Sequence, residues 1–250
     1  MKVKKNYGEM YLLPSLFSLT NLFFGFLSIQ MSLHGRYRWA AFWIIVAAIM
    51  DGFDGIVARA TKSQSDFGIE LDSLADAVSF GAATSTLIFL WGLHRTGAPG
   101  MFFSFVFLAA GVLRLARYNV RTKALPDRKY YQGLTVPSAA MFMSAIVNFH
   151  PAPLATREAG FLVAVAMLVV SLCMVSSLPY PNFVKAFIGQ RVNIRTGLFV
   201  AVSLFGVLFY ARYFLLLYFG LNVLSGPTVA LVRALKKRPR KKTEPKVIPS

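Results

Sequence analysis

The sequence has one cysteine, Cys173. That excludes a disulfide framework and any cysteine-ligated metal cluster. Its three histidines, His34, His94 and His150, sit on separate segments near the ends of apolar runs. Their spacing makes no metal site, and placement at a lipid interface explains them. Charge is also scarce: Asp, Glu, Lys and Arg make up 15% of 250 residues, against about a quarter in soluble domains. An ordinary cytosolic protein does not fit that composition. Negative charge is scarcest, with 10 acidic residues against 27 basic ones and a net charge of +17. Disordered chains are poor in aromatics, whereas this one has 23 Phe. A nucleic-acid binder would carry its positive charge on a soluble fold, and a 56% hydrophobic chain leaves little room for one. A basic, greasy chain points instead to a membrane protein with anionic lipid or phosphate around it. No fixed-period repeat is present.

A membrane-spanning helix needs about 20 mostly apolar residues. Candidate runs cover residues 11–33, 39–60, 71–93, 99–117, 134–149 and 158–175. The first follows Lys2, Lys4 and Lys5 but no small-residue cleavage site follows it, so it is expected to remain as an uncleaved span. A last run, 196–224, would reach ~43 Å as one helix, beyond a hydrocarbon core of ~30 Å. Arg212 lies inside it. Two shorter or tilted spans are the preferred reading, and one long span with a re-entrant end the alternative. The expected fold is an all-α polytopic bundle of six to eight transmembrane helices over residues 1–232. Residues 233–250 hold eight basic residues and one acid, Glu244, and read as a disordered tail that enforces topology and touches anionic lipid.

Lys and Arg in short loops set orientation. With eight spans, all basic residues but Arg36, Arg38, Arg95, Arg157 and Arg212 fall on one side. That side is expected to be cytoplasmic and to carry both termini.

The acids are not scattered. Six of the ten, Asp51, Asp54, Asp66, Glu70, Asp72 and Asp76, lie between positions 51 and 76. Carboxylates in a spanning segment are costly and mark function by default. Asp51 and Asp54 are i, i+3 near the end of the second span; Asp72 and Asp76 are i, i+4 near the start of the third. Each spacing puts a pair on one helical face. A short polar turn joins the two spans, so all four carboxylates are expected to converge at one depth, open to the cytoplasm. Like charges so close in a low dielectric repel strongly, and Arg59 and Lys62 offset only part of this. Either some carboxylates are protonated or divalent cations sit among them. Oxygen ligands favour Mg²⁺, Mn²⁺ or Ca²⁺ over zinc. An arginine-satisfied acid pair and a transporter's ion relay are the competing readings. Gly55, Ala58 and Gly68 beside the acids allow close approach of a backbone or flat ligand. Arg59 is placed to meet a phosphate, and Thr61 and Ser65 add hydroxyls. Together these features favour a site for a nucleotide diphosphate.

Residues 51–76 read DGFDGIVARATKSQSDFGIELDSLAD. This stretch resembles the signature of the CDP-alcohol phosphotransferases, D-x2-D-G-x2-A-R-x8-G-x3-D-x3-D. Asp51, Asp54, Gly55, Ala58, Arg59, Gly68, Asp72 and Asp76 fill every fixed position. The segments TNLFFGF (20–26), LDSLADAVSFGAA (71–83), RLARYN (114–119) and MVSSLPYPNF (174–183) are similar to the CDP-diacylglycerol–serine O-phosphatidyltransferase branch. The likeness runs from about residue 12 to 224.

The resemblance implies transfer of a phosphatidyl group from CDP-diacylglycerol to L-serine, giving phosphatidylserine and CMP. It implies two Mg²⁺ or Mn²⁺ ions on Asp51, Asp54, Asp72 and Asp76, with Asp76 as general base. Asp51, Gly55, Ala58, Arg59, Ser65 and Gly68 would bind CDP-diacylglycerol: Gly55 and Ala58 leaving room for cytidine, Arg59 and Ser65 holding the diphosphate. It also implies a homodimer in the cytoplasmic membrane, its active site facing the cytoplasm. Serine itself needs a cation for its carboxylate. Arg114 or Arg117, i, i+3 at the end of the fourth span, is expected to hold serine or a phosphate, with Asn119 adding polarity; positive-inside topology alone is the alternative. Glycerol 3-phosphate and inositol phosphate remain alternative acceptors, and a cation-coupled transporter the alternative class.

Overall fold

The computed structural model describes residues 12–61, 65–124, 130–181, 213–232 and 235; the side chains of 12–14, 54–61, 121–124, 130–131 and 181 lie outside that description. The chain forms α1 (Leu12–Leu33), α2 (Tyr37–Thr61), α3 (Asp66–Thr96) and α4 (Ala98–Ala124). Then follow β1 (Tyr130–Gln132), α5 (Val136–Phe149), α6 (Arg157–Val175), β2 (Pro179–Pro181) and α7 (Tyr213–Val232). α1, α3, α4, α6 and α7 are each long and apolar enough to cross a membrane. The protein is a polytopic helical membrane protein.

Packing follows residue size. α2 turns Ala40, Ala41, Ile44 and Ala47 inward, so α1 can lie close along it. Small side chains are what allow helices to pack tightly where lipid competes for apolar surface. α3 runs through the middle, burying Phe80, Leu87, Ile88 and Trp91. It is a helix with two wide turns, at Ala77–Ala82 and Phe89–Leu93, where the hydrogen bonds span an extra residue. Such turns are rare and often stand at functional sites. Outward faces are apolar: Phe23 and Phe26 on α1, Phe102 and Phe105 on α4, and Phe161, Leu162 and Leu172 on α6 are exposed to the bilayer side.

Two boundaries differ from the sequence expectation for stated reasons. The apolar run at 134–149 becomes a helix only from Val136. Gly133 takes a positive φ of 78°, and Thr135 caps the helix by accepting from the Ser138 amide. At 14 residues, α5 reaches ~21 Å, too short to cross alone, and it is buried between its neighbours instead. At the other end, the run expected to stop at 224 continues to Val232 through Ser225, Gly226 and Pro227. Pro227 has no amide to give the carbonyl four residues back, Val223. The Tyr180 hydroxyl donates to that oxygen at 3.1 Å. Gly226 makes room, since a Cβ there would meet the Tyr180 ring. Burial and the Cys173 side chain push the Tyr180 hydroxyl above its usual range, so it keeps the proton it donates. The expected division of 196–224 into two spans lies largely on residues 182–212, outside the described residues.

A short strand pair was not expected from the sequence. β1 and β2 run antiparallel, with Tyr131 opposite Tyr180. Gly133 N donates to Leu178 O at 2.9 Å and Leu134 N to Cys173 O at 3.0 Å. The pair ties the chain entering α5 to the chain leaving α6. His34, His94 and His150 are all exposed at helix ends, and Cys173 is buried.

Candidate active site

The hairpin of α2 and α3 builds the site. Ser65 starts α3, accepting the Gly68 amide on its hydroxyl at 3.0 Å. A Cβ on residue 68 would stand 3.2 Å from that hydroxyl, so glycine keeps the cap uncrowded. Asp51 lies ten residues before the end of α2, and Asp76 ten residues after the start of α3. At 1.5 Å per residue both are ~15 Å from the turn, and Asp72 ~9 Å. The antiparallel arrangement therefore brings them together. Asp51, Asp72 and Asp76 each place a carboxylate oxygen within 4.8 Å of the others. Divalent cations take oxygens at ~2.0–2.6 Å, so three oxygens at this separation can surround one. Asp76 is buried, at 6% exposure, and Asp51 and Asp72 are half-buried. Asp54 follows Asp51 by three residues on α2; its side chain, and residues Gly55, Ala58 and Arg59 beyond the backbone, lie outside the described side chains.

α1 supplies a contact to the cluster that the sequence reading did not single out. Asn21 Nδ2 donates to Asp76 Oδ1 at 3.1 Å, wholly buried. The Ser79 hydroxyl, inside the first wide turn of α3, donates to Asn21 O at 2.9 Å. Gly25, one turn along α1, lies where any Cβ would run into Ser79. A lone asparagine in an apolar span was the available signal; its partner 55 residues away was not legible.

α4 contributes the basic side. Arg114 is buried, at 7% exposure, with its guanidinium 5.2 Å from the centre of the Tyr118 ring. Its charge acts directly on Asp76. Arg117 is used differently. Its guanidinium donates to the carbonyls of Met174 at 3.2 Å, Val175 at 2.6 Å and Ser176 at 3.1 Å. It closes the C-terminal end of α6, where cations and donors are favoured. Gly133 lies under the same carbonyls. Arg114 or Arg117 is expected to hold serine or a phosphate; in the structure Arg117 is bonded to the carbonyls that end α6, and the charge of Arg114 acts on Asp76. Asn119, expected to add polarity to the substrate pocket, donates to Ser73 Oγ at 2.9 Å and Glu70 Oε2 at 3.4 Å. It fastens α4 to the first turns of α3.

The geometry can bind divalent cations among carboxylates next to one buried arginine and one buried amide. That arrangement suits the handling of a diphosphate. Residues 11–175 match the family model for CDP-alcohol phosphatidyltransferase. The chain is 34% identical over 211 residues to the CDP-diacylglycerol–serine O-phosphatidyltransferase of Helicobacter pylori (strain J99), covering 82% of this chain and 84% of that one. It is 31% identical over 176 residues to the Bacillus subtilis (strain 168) protein of the same name, covering 70% and 93%. It is 34% identical over 174 residues to the archaetidylserine synthase of Methanothermobacter thermautotrophicus, covering 68% and 70%. With the signature filled at every position, Asp51, Asp72 and Asp76 gathered in one place and the family model matched over residues 11–175, this chain belongs to the CDP-alcohol phosphatidyltransferase family.

Proposed function

We propose that the protein is a CDP-diacylglycerol–serine O-phosphatidyltransferase, making phosphatidylserine and CMP. The observation that carries this is the convergence of Asp51, Asp72 and Asp76 from the two halves of the signature, in a chain whose relatives bear that name over most of its length.

Asp51, Asp54, Asp72 and Asp76 would hold two divalent ions, Mg²⁺ or Mn²⁺. When bound, such ions stabilise charge on the diphosphate and on the departing CMP. Gly55 and Ala58 leave room for the cytidine, with Gly68 keeping the turn open beside it. Arg59 and the Ser65 hydroxyl hold the diphosphate, and the acyl chains remain in the bilayer. Arg114 holds the serine carboxylate, a role supported by its burial on α4 and its electrostatic reach to Asp76; Arg117 serves this site only by fixing the end of α6. The Asp76 carboxylate takes the proton from the serine hydroxyl. The serine oxygen attacks the phosphorus that carries diacylglycerol, and the bond from that phosphorus to the CMP oxygen breaks. One P–O bond forms, one breaks, and CMP leaves with the electron pair.

The Lys and Arg distribution supports a cytoplasmic site, with both termini on that side, in the cytoplasmic membrane. Residues 1–232 form the catalytic membrane domain and 233–250 a basic tail that meets anionic lipid. The protein acts as a homodimer, as the family resemblance implies.

The test is CMP release by purified protein in detergent, with CDP-diacylglycerol, Mn²⁺ or Mg²⁺ and each of three acceptors: L-serine, glycerol 3-phosphate and inositol phosphate. Release with serine alone, abolished by EDTA, is the expected result. Release with another acceptor keeps the chemistry and overturns the substrate. No release with any acceptor, from folded protein, overturns the transferase reading.

A further inference from the structure

Asn21 is a buried side chain of α1 whose amide reaches the carboxylate cluster. Placing an amide in an apolar span is costly unless it is hydrogen-bonded. Asn21 is fully buried, yet its Oδ1 accepts from no donor among the described residues. One N–H of the amide is bonded, and it points at Asp76. Local structure is arranged around the contact. The wide turn of α3 begins at Ala77, immediately after Asp76. It places Ser79 to bond the Asn21 carbonyl, and Gly25 lets α1 approach Ser79. Main chain and side chain of Asn21 are therefore both fixed to α3 within three residues of Asp76.

We propose that Asn21 is a positioning residue for Asp76: its amide holds one carboxylate oxygen against α1, so that the group keeps an oxygen presented to Asp51 and Asp72. This rests on the reading of Asp76 as base and ion ligand. Partners that orient a ligating carboxylate typically affect ion affinity or activity by ~10–100-fold.

The experiment compares Asn21→Leu, Asn21→Ser, Ser28→Ala and Asp76→Asn in full-length protein. Ser28 is a buried α1 hydroxyl two turns from Asn21 and outside the site. Three readouts are taken: steady-state kinetics, melting temperature in detergent, and Mn²⁺ binding by electron paramagnetic resonance without lipid substrate. Asn21→Leu is expected to lower kcat ~10–100-fold at saturating Mn²⁺ and weaken Mn²⁺ binding ~10-fold. KM for both substrates should stay within about threefold, and the melting temperature should fall by less than ~10 °C, the scale of one lost hydrogen bond to a buried carboxylate. Asn21→Ser gives the same direction should the leucine variant fold poorly, and Ser28→Ala matches the parent. In the Asp76→Asn background, Asn21→Leu should weaken Mn²⁺ binding by less than about twofold, because its effect runs through Asp76. Parent-like kcat and Mn²⁺ affinity in both Asn21 variants would overturn the proposal while leaving an inactive Asp76→Asn, and hence the base, intact. An active Asp76→Asn would overturn both.

Discussion

Two regions of α3, around Asp72–Asp76 and around Trp91–Arg95 and roughly 28 Å apart, treat polar groups in opposite ways. At the end that runs into α4, Trp91 Nε1 donates to His150 O at 3.0 Å and Ala152 O at 2.8 Å. Leu154 N returns a bond to Trp91 O at 3.1 Å, and Arg95 donates to Ala155 O at 2.9 Å. Gly97, with φ 71°, makes the turn. Donors there meet backbone acceptors, and the loop between α5 and α6 is closed over the bundle. At the other end, carboxylates face carboxylates. Asp51, Asp72 and Asp76 gather where neutral or apolar side chains would be cheaper, with Asn21 and Arg114 beside them. One end is arranged for the fold alone. The other keeps carboxylates together, an arrangement that fits the proposed cation and diphosphate site. The same residue type marks the contrast: Arg117 satisfies carbonyls as Arg95 does, while Arg114, one turn earlier, stands by the acids.

Substitutions can break or sharpen that contrast. The largest effect is expected from Asp76→Asn, a loss of ~10²–10⁴-fold in kcat, the range for removing a general base. The melting temperature should not fall, since a buried charge disappears; turnover at the parent rate would remove the base assignment. Next comes Asp72→Asn, with Mn²⁺ affinity weakened ~10–100-fold and CDP-diacylglycerol binding weakened with it. Calorimetry with and without EDTA reads this, and unchanged nucleotide affinity would contradict a shared ion. Arg114→Ala should raise the serine KM about tenfold, the equivalent of ~1.4 kcal/mol, with the CDP-diacylglycerol KM little changed. Arg117→Ala should instead lower the melting temperature and leave the serine KM near the parent value; the reverse pattern would exchange their roles. The smallest effect belongs to the far end. Trp91→Phe frees two carbonyls and should cost ~1–2 kcal/mol of stability, or ~2–4 °C per kcal/mol in a chain of this size. Activity per folded molecule should not change.

The signature was legible because it depends only on spacing. Four acids at i, i+3 and i, i+4 on either side of a short turn converge for any helical hairpin, and Asp51, Asp72 and Asp76 do so. Six apolar runs became helices for the same reason. What was not legible depends on distant partners. Asn21 reads as one polar residue in TNLFFGF until the wide turn after Asp76 sets α1 against α3. Arg114 and Arg117 read alike at i, i+3; only the position of the α6 carbonyls separates them. Ser225–Gly226–Pro227 reads as a helix stop, and continues as helix because Tyr180, more than 40 residues earlier, caps the carbonyl that Pro227 leaves open. Gly133 and Thr135 delay α5 by a local turn that hydropathy cannot register.

In the proposed reaction, serine's own hydroxyl oxygen, freed by Asp76, attacks the phosphorus bearing diacylglycerol. The most direct measurement is turnover with L-serine carrying ¹⁸O in its hydroxyl, followed by mass spectrometry of both products. The expected result is ¹⁸O retained in phosphatidylserine and unlabelled CMP. Label in CMP, or phosphatidylserine without the label, would contradict it.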